Sequence, residues 1–328
     1  MVVGFTYKSE PVRAEAIQAV GAMQVLLRDA IHPNLVQSLE GTPAFVHGGP
    51  FGNIAQGTNT CIATRLALKL ADYVVTEAGF ATDLGAEKFV DLKCRTAGLK
   101  PATAVIVATL KAIAWQGGFT DTGGLGNLAK HIENVRCLGL DPVVCLSKFP
   151  DDKPEDQDRV IKFCAQHDVE AVVSKHFDEG SAGATDLAMA VLNSIERNKG
   201  KKIRFMYPLD APLEKKLEAV ATQLYGADGV DFERGAKSNL ELLNKHGFGK
   251  LPICVAKTAM SLSDDPELRG RPRGFRVKVN ELRLSAGAGF VVAICGSIVT
   301  MPGLPKVPAS RNIKLLPNGQ IKGLMQGD

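Results

Sequence analysis

Two glycine-rich segments carry the side chains best suited to chemistry. The first, His47-Gly48-Gly49-Pro50-Phe51-Gly52-Asn53, follows the short apolar run Ala44-Phe45-Val46. The second runs from Glu77 to Phe89 and follows Tyr73-Val74-Val75-Thr76. Glycines directly after a strand let main-chain amides approach a phosphate or carboxylate, and the start of the next helix favours an anion. His47, Gly48, Gly49 and Phe51 are therefore candidates for one wall of an anion-binding cleft; a plain strand-to-helix turn is the competing explanation. In the second segment Phe80 follows Gly79, which is hard to explain as core packing. Asp83 and Glu87 stand four residues apart, on one face of a helix. Their carboxylates suit either a catalytic cleft or stabilisation of the helix dipole.

Two further strand ends carry aromatics. Ser147-Lys148-Phe149-Pro150 follows one, and Ser174-Lys175-His176-Phe177 follows the next. Rings at neighbouring strand ends can grip a flat heterocycle between them. Equally, each can pack under its own loop. Ala256-Lys257-Thr258 is a polar end to another apolar run. Gly287-x-Gly289 precedes a strand, not a helix, and so is not a dinucleotide fingerprint. The sequence contains no G-x-x-x-x-G-K-[ST] phosphate loop, no H-E-x-x-H, no G-x-S-x-G and no zinc spacing.

The elements that must position these residues alternate between strand and helix. Periodicity predicts a helix over 11–31, then strand 43–46, helix 53–71, strand 72–76 and helix 83–97. Strand 103–109, helix 127–138, strand 142–146, helix 155–167, strand 169–173 and helix 184–197 continue the series. Such alternation predicts an α/β fold with a doubly wound, mainly parallel sheet, and ligands at the carboxyl ends of its strands. Near residue 200 the pattern changes: a strand at 203–207, helices near 212–224 and 233–246, then short strands at 252–256, 275–284 and 290–295. A final hairpin is expected around Asn318-Gly319. Residues 1–127 are expected to form one domain and 128–328 a second α/β domain with the short-stranded region.

Composition limits the function classes. At 45% hydrophobic and 23% charged, the 328 residues have the make-up of a globular chain. A net charge of +4, with only short basic clusters, gives no case for nucleic-acid binding. No apolar run approaches the ~18 residues of a membrane span, and the first residues do not resemble a signal peptide. Seven scattered cysteines, none in C-x-x-C spacing, suit a reduced cytoplasmic setting and buried packing, not metal ligation.

Longer motifs carry a resemblance. His32-Pro33-Asn34-Leu35-Val36-Gln37-Ser38-Leu39-Glu40, the run from Thr42 to Phe51, Ala71–Phe89, Tyr225-Gly226-Ala227-Asp228-Gly229-Val230, and Thr300-Met301-Pro302-Gly303-Leu304-Pro305-Lys306 closely resemble formate–tetrahydrofolate ligase. The similarity covers essentially the whole chain. It implies ligation of formate to tetrahydrofolate at the expense of ATP with Mg2+, through formyl phosphate, in one-carbon metabolism. It further implies a P-loop-NTPase-like fold, a cytoplasmic homotetramer and a monovalent cation. Phe149-Pro150 resembles the family's folate-contacting pair, and Phe177 stands where the family often has Trp, on the other side of the pterin. Phe80 resembles the aromatic beside the formyl and pterin site.

There are departures. Family members carry roughly two hundred further residues before the position matched by Met1, including the phosphate loop. The segment 118–127 is shorter than the family's, Gln56 replaces a usual His, and Met260 and Leu262 replace usual aromatics. The expectation is thus the C-terminal part of such a ligase, with the phosphate loop in a separate polypeptide or otherwise missing. The alternative is a non-catalytic paralogue that binds folate or a family oligomer.

Overall fold

The computed structural model describes residues 1–298, 300 and 306–323. They divide into two units, Met1–Ile298 and Val299–Asp328. The first unit opens with the antiparallel pair β1 (Val2–Phe5) and β2 (Pro11–Arg13). Then come α1 (Val20–Ala30), the antiparallel hairpin β3 (Asn34–Gln37) and β4 (Pro43–Val46), and α2 (Cys61–Leu70). A helical run follows, with π-type turns at Thr82–Ala86 and Phe89–Cys94, ending in α3 (Arg95–Ala97). The alternating region comprises β5 (Ala104–Ala108), α4 (Leu110–Trp115), α5 (Gly124–Cys137), β6 (Pro142–Ser147), α6 (Pro154–Gln166), β7 (Ala171–Ser174), α7 (His176–Glu179) and α8 (Thr185–Arg197). The unit ends with α9 (Leu213–Val220), β8 (Val230–Phe232), α10 (Arg234–Lys245), β9 (Ile253–Ala256), β10 (Val277–Ser285) and β11 (Phe290–Cys295). The second unit holds the expected hairpin, β12 (Lys314–Leu315) and β13 (Ile321–Lys322), closed by Asn318-Gly319. The Thr300–Lys306 motif lies largely outside the described residues.

The fold is α/β with parallel pairing, as expected, but the strands do not form one doubly wound sheet. Strands β5, β6 and β7 make a three-stranded parallel sheet, with Ala104 opposite Pro142 and Ser147 opposite Ser174. Val143, Val144, Cys145 and Leu146 are all buried, because the central strand β6 is covered on both faces. A separate four-stranded sheet has the order β8-β10-β11-β9; β10 and β11 are antiparallel, and the outer strands join in parallel. Its core packs Leu213, Leu217, Val220 and Leu224 against Ile253, Val255, Val279 and Val291.

The differences from expectation have local causes. Strand 43–46 forms, but pairs antiparallel with Asn34–Gln37, where no strand is expected. Residues 72–76 form no strand, and Tyr73 and Val75 are exposed. The 203–207 strand is missing because the amide of Met206 donates to the Asp91 carboxylate and that of Arg204 to Leu138, not to a neighbouring strand. The first helix starts at Val20, since Pro11–Arg13 is committed to β2. Helix α2 starts at Cys61, where the Thr60 hydroxyl accepts the Ala63 amide and caps it. Among the described residues no helix is long and apolar enough to cross a membrane.

Candidate active site

Phe80 is the unusual residue of the second glycine-rich segment. It has φ +73° and its ring is 50% exposed. A left-handed backbone costs a residue other than glycine about 1–2 kcal/mol, and such strain persists only where the surroundings enforce it. Here the surroundings are glycines. The Gly79 amide donates to the Gly57 carbonyl at 3.0 Å. A Cβ on Gly79 would lie 2.7 Å from that oxygen, and one on Gly52 would lie 2.9 Å from the Phe80 ring. The 51–57 and 78–81 loops therefore interlock at backbone distance. Phe51 meets Phe80 edge-on, with ring centroids 6.4 Å apart at 73°.

Beneath Phe80 the helical run 82–94 is packed with charge. Asp83 pairs with Lys257 at 2.7 Å, with both side chains out of solvent. Lys257 also donates to the Ser261 and Thr258 carbonyls, so it ties the loop after β9 to the start of the helical run. Burial opposes ionisation of Asp83, but the charge of Lys257, with His131, outweighs it and holds the carboxyl below its ordinary value. Burial pushes His131 down, against the pull of Asp83; its Nδ1 lies 2.7 Å from the Thr82 hydroxyl. One turn on, Glu87 is fully buried, and neither of its carboxyl oxygens has a hydrogen-bond partner among the described residues. Burial and then the nearby Asp91 carboxylate push Glu87 well above its ordinary value. Asp91 itself is pushed up to about 6 by burial, with the Arg95 guanidinium 2.7 Å away opposing. Lys88, also buried, donates to the Gly52 and Asn53 carbonyls and anchors the first loop.

The first segment is built around His47. Its Nε2 donates to the Ala30 carbonyl at 2.8 Å, which leaves Nδ1, 2.8 Å from the Thr60 hydroxyl, to accept that proton. The ring thus joins the end of α1, the end of β4 and the cap of α2. Gly48 has φ +56°, and a Cβ there would lie 2.6 Å from the Thr60 methyl; Gly49 faces open space. Phe149 and Phe177 follow the adjacent strand ends Ser147 and Ser174, and both are exposed. The Lys111 ammonium sits 4.4 Å over the Phe149 ring and pairs with Asp151 at 3.2 Å, and Asp152 accepts the Phe149 amide. Pro150 is exposed beside them.

The sequence matches known proteins along nearly all of its length. The family model described as formate–tetrahydrofolate ligase matches residues 1–325. The chain belongs to this family. A formate–tetrahydrofolate ligase of Granulibacter bethesdensis is 51% identical over 335 residues, covering 99% of this chain and 58% of that protein. One from Methylorubrum extorquens is 50% identical over 336 residues, covering 99% and 60%. One from Roseobacter denitrificans is 48% identical over 335 residues, again covering 99% and 60%. The chain thus spans about three-fifths of the length of these relatives.

The structure brings Phe51 and Phe80 together at the glycine loops and places Phe149 and Phe177 after adjacent strand ends. The carboxylate candidates fare differently. Asp83 and Glu87 share the helical run, yet lie beneath the surface at 3% and 0% exposure, so neither side chain meets solvent in this arrangement. Three residues of the assembly are hard to find from sequence. Lys257 shows itself only as a charge closing the apolar run Ile253–Ala256, Lys88 only as the neighbour of Glu87, and His131 not at all. Among the described residues no group of three or more His, Cys, Asp or Glu side chains is placed to hold a metal ion.

Proposed function

We propose that these residues form the formyl- and folate-binding side of an ATP-dependent ligase that joins formate to tetrahydrofolate, giving 10-formyltetrahydrofolate. The supporting observation is Phe80: a half-exposed ring in a strained backbone, fixed by interlocked glycines, in a chain about 50% identical to ligases of that name. In the reaction, a formate oxygen attacks the γ-phosphorus of ATP and ADP leaves. A tetrahydrofolate amine then attacks the formyl carbon of formyl phosphate, phosphate leaves, and the amine gives up its proton. Catalysis of this kind is positioning and charge stabilisation.

Each candidate has a part in this proposal. Phe149, Pro150 and Phe177 hold the pterin, and Phe80 and Phe51 shield the acyl phosphate from water. The open amide of Gly49 and the turn at Gly48 face its phosphate, while His47 positions that turn. Asp83 acts as a positioning residue under Phe80 through Lys257, and Glu87 is a buried member of the same helical run. Residues 1–127 carry the formyl-phosphate side, on a remnant of a P-loop-NTPase-like sheet, and 128–328 the folate side. Mg2+ and a monovalent cation are implied by the family. The family further implies a phosphate loop for ATP, which lies outside these 328 residues, and a homo-oligomer in the cytoplasm.

The test is formyl-folate formation from ATP, formate and tetrahydrofolate, with tetrahydrofolate affinity measured by calorimetry. Phe177→Ala should weaken that affinity about tenfold, the worth of one stacked ring; unchanged affinity removes Phe177 from the folate wall. These 328 residues alone should bind ATP weakly, and micromolar binding would refute the need for a phosphate loop outside them.

A further inference from the structure

Helix α5 carries two stripes with different tasks. Leu125, Leu128, Ile132 and Val135 pack into one core with Ile106 of β5 and with Val144 and Leu146 of β6. Asn127, Lys130, His131 and Asn134 repeat at helical spacing on another face, and each of them bonds to a different part of the chain. Asn127 donates to the Gly270 carbonyl and Lys130 to that of Gln223. His131 and Asn134 converge on one atom, the Thr82 hydroxyl oxygen: His131 Nδ1 lies 2.7 Å from it and Asn134 Nδ2 3.2 Å. An amide nitrogen only donates, so the hydroxyl accepts from Asn134 and keeps its own proton for His131. Nδ1 is then the acceptor, and the ring proton sits on Nε2. Thr82 stands two residues past Phe80, at the head of the helical run. A Cβ on Gly85 of that run would lie 2.2 Å from the Gly79 carbonyl oxygen. The backbone that carries Phe80 is thus held from the helical run on one side and from α5 on the other.

We infer that His131 is a positioning residue for folate binding: as the neutral imidazole it takes the Thr82 proton and so ties the Phe80 backbone to the helix that packs against β6. This rests on the function proposed above and adds a residue outside the aromatic wall on which that wall depends. Placement gives the reason. Strand β6 ends at Ser147, and Phe149 follows two residues on. One helix therefore holds the sheet that carries Phe149 with its apolar stripe and the segment that carries Phe80 with its polar stripe. Protonation would undo the second hold. An imidazolium donates from both nitrogens. Nδ1–H and the Asn134 amide would then both point at the Thr82 oxygen, and the hydroxyl proton would lose its acceptor. The charged groups facing His131 among the described residues are Asp83 on the helical run, Lys257 after β9 and Lys130 on its own helix. Burial holds the ring below its ordinary 6.5, against the pull of Asp83 and with the push of Lys257 and Lys130. The folded state thus favours the neutral ring. The tie is complete above pH 6.5 and is lost as pH falls through the lower folded value.

The test is tetrahydrofolate affinity by calorimetry from pH 5 to pH 8, read against the non-titrating variant His131→Asn. Its side-chain oxygen can stand where Nδ1 stands, so at pH 8 it should keep the wild-type affinity within about twofold. As pH drops below 6.5, the wild type should fall behind His131→Asn, by about fivefold at pH 5, the worth of one buried hydrogen bond. Glu87 and Asp91, both raised by burial, titrate alike in the two proteins and cancel in the comparison. His131→Phe removes the acceptor and should cost about fivefold at pH 8. Thr82→Val loses the same bond from the other side, and the two changes together should cost no more than one. Equal pH profiles for the wild type and His131→Asn, unchanged affinity in His131→Phe, or additive losses in the double variant overturn the inference. If the wild type binds no tetrahydrofolate at any pH, the proposed function falls, and the tie is read in the free protein instead. There the backbone NMR signals of Gly79 and Phe80 should move with pH below 6.5 in the wild type and stay in place in His131→Asn. Signals that move alike in both proteins overturn the inference by themselves.

Discussion

Lys257→Met breaks one charge pair and should change both the size and the pH dependence of stability. The Lys257 and Asp83 side chains are 0% and 5% exposed, and their charges are 2.7 Å apart. Removing one partner leaves the other buried and uncompensated, at a cost of about 3–5 kcal/mol. In the wild type the Asp83 carboxyl is held below its ordinary 3.8. Its contribution is therefore present above the unfolded value and lost as pH falls through the lower folded value. Without Lys257, burial becomes dominant and the carboxyl rises above 3.8. The folded state then holds that proton more tightly than the unfolded chain does, so stability is present at low pH and lost as pH rises. The deficit of the variant against wild type should thus be largest near pH 8 and shrink towards pH 4. Adding Asp83→Asn should recover most of it at pH 8, because no buried charge remains. Urea unfolding at a series of pH values, followed by the fluorescence of the single Trp115, measures all three proteins. A loss below about 1 kcal/mol, or one independent of pH, would refute the claim that this pair holds the floor of the site.

Four other substitutions separate strain, charge and space. Phe80→Gly relieves the φ of +73°, so it should leave the urea midpoint within about 1 kcal/mol of wild type or raise it. The same change should weaken tetrahydrofolate binding about tenfold; calorimetry on the variant checks it. Glu87→Gln keeps the neutral form that burial already favours. Since the raised Glu87 costs stability as pH rises through its folded value, the variant should gain on wild type from pH 5 to 8; a variant less stable at pH 8 contradicts this. Gly48→Ala meets the Thr60 methyl at 2.6 Å in a left-handed backbone and should cost about 1–2 kcal/mol or more. Gly49→Ala meets nothing within 4 Å and should leave the midpoint unchanged.

Much of this was legible in the residues, and the remainder has identifiable causes. The β5–β6–β7 region follows the expected alternation almost residue for residue, because buried parallel strands must be continuous apolar runs. Sequence periodicity overreached where a run is apolar but unpaired. Tyr73-Val74-Val75 has a strand's composition and no neighbouring strand, since pairing is a property of the partner and not of the run. Likewise Asp91 captures the Met206 amide across 115 residues, a competition no local window contains. Phe80 could be singled out from Gly79-Phe80, but its left-handed backbone depends on Gly52 and Gly57 some twenty-five residues earlier. Asp83 and Glu87 share the helical run, as their four-residue spacing suggests, but spacing alone does not say which side meets solvent, and both are buried.

The buried lysines explain how a site made largely of loops is held in place. Lys88 donates to the carbonyls of Gly52 and Asn53, Lys257 to those of Thr258 and Ser261, and Lys216 to those of Gly249 and Leu251. Lys93 donates to the hydroxyls of Thr58 and Thr64. Loop carbonyls withdrawn from water need donors that no strand supplies. An ammonium offers three donors from one point, on a stem long enough to reach from a helix into a neighbouring loop. A leucine in the same place would fill the volume and leave the carbonyls unsatisfied. The helical run 82–94 contributes two of these lysines, and its Asp83 anchors a third, Lys257. The run therefore fixes the 51–58 loop on one side and the 258–261 loop on the other. With Phe80 at its head, any substrate that moves the ring strains both loops at once. Asp83 thus acts through the lysine it pairs with, Lys257, and so through the 258–261 loop, while Glu87 lies buried in the same helical run without a hydrogen-bond partner among the described residues.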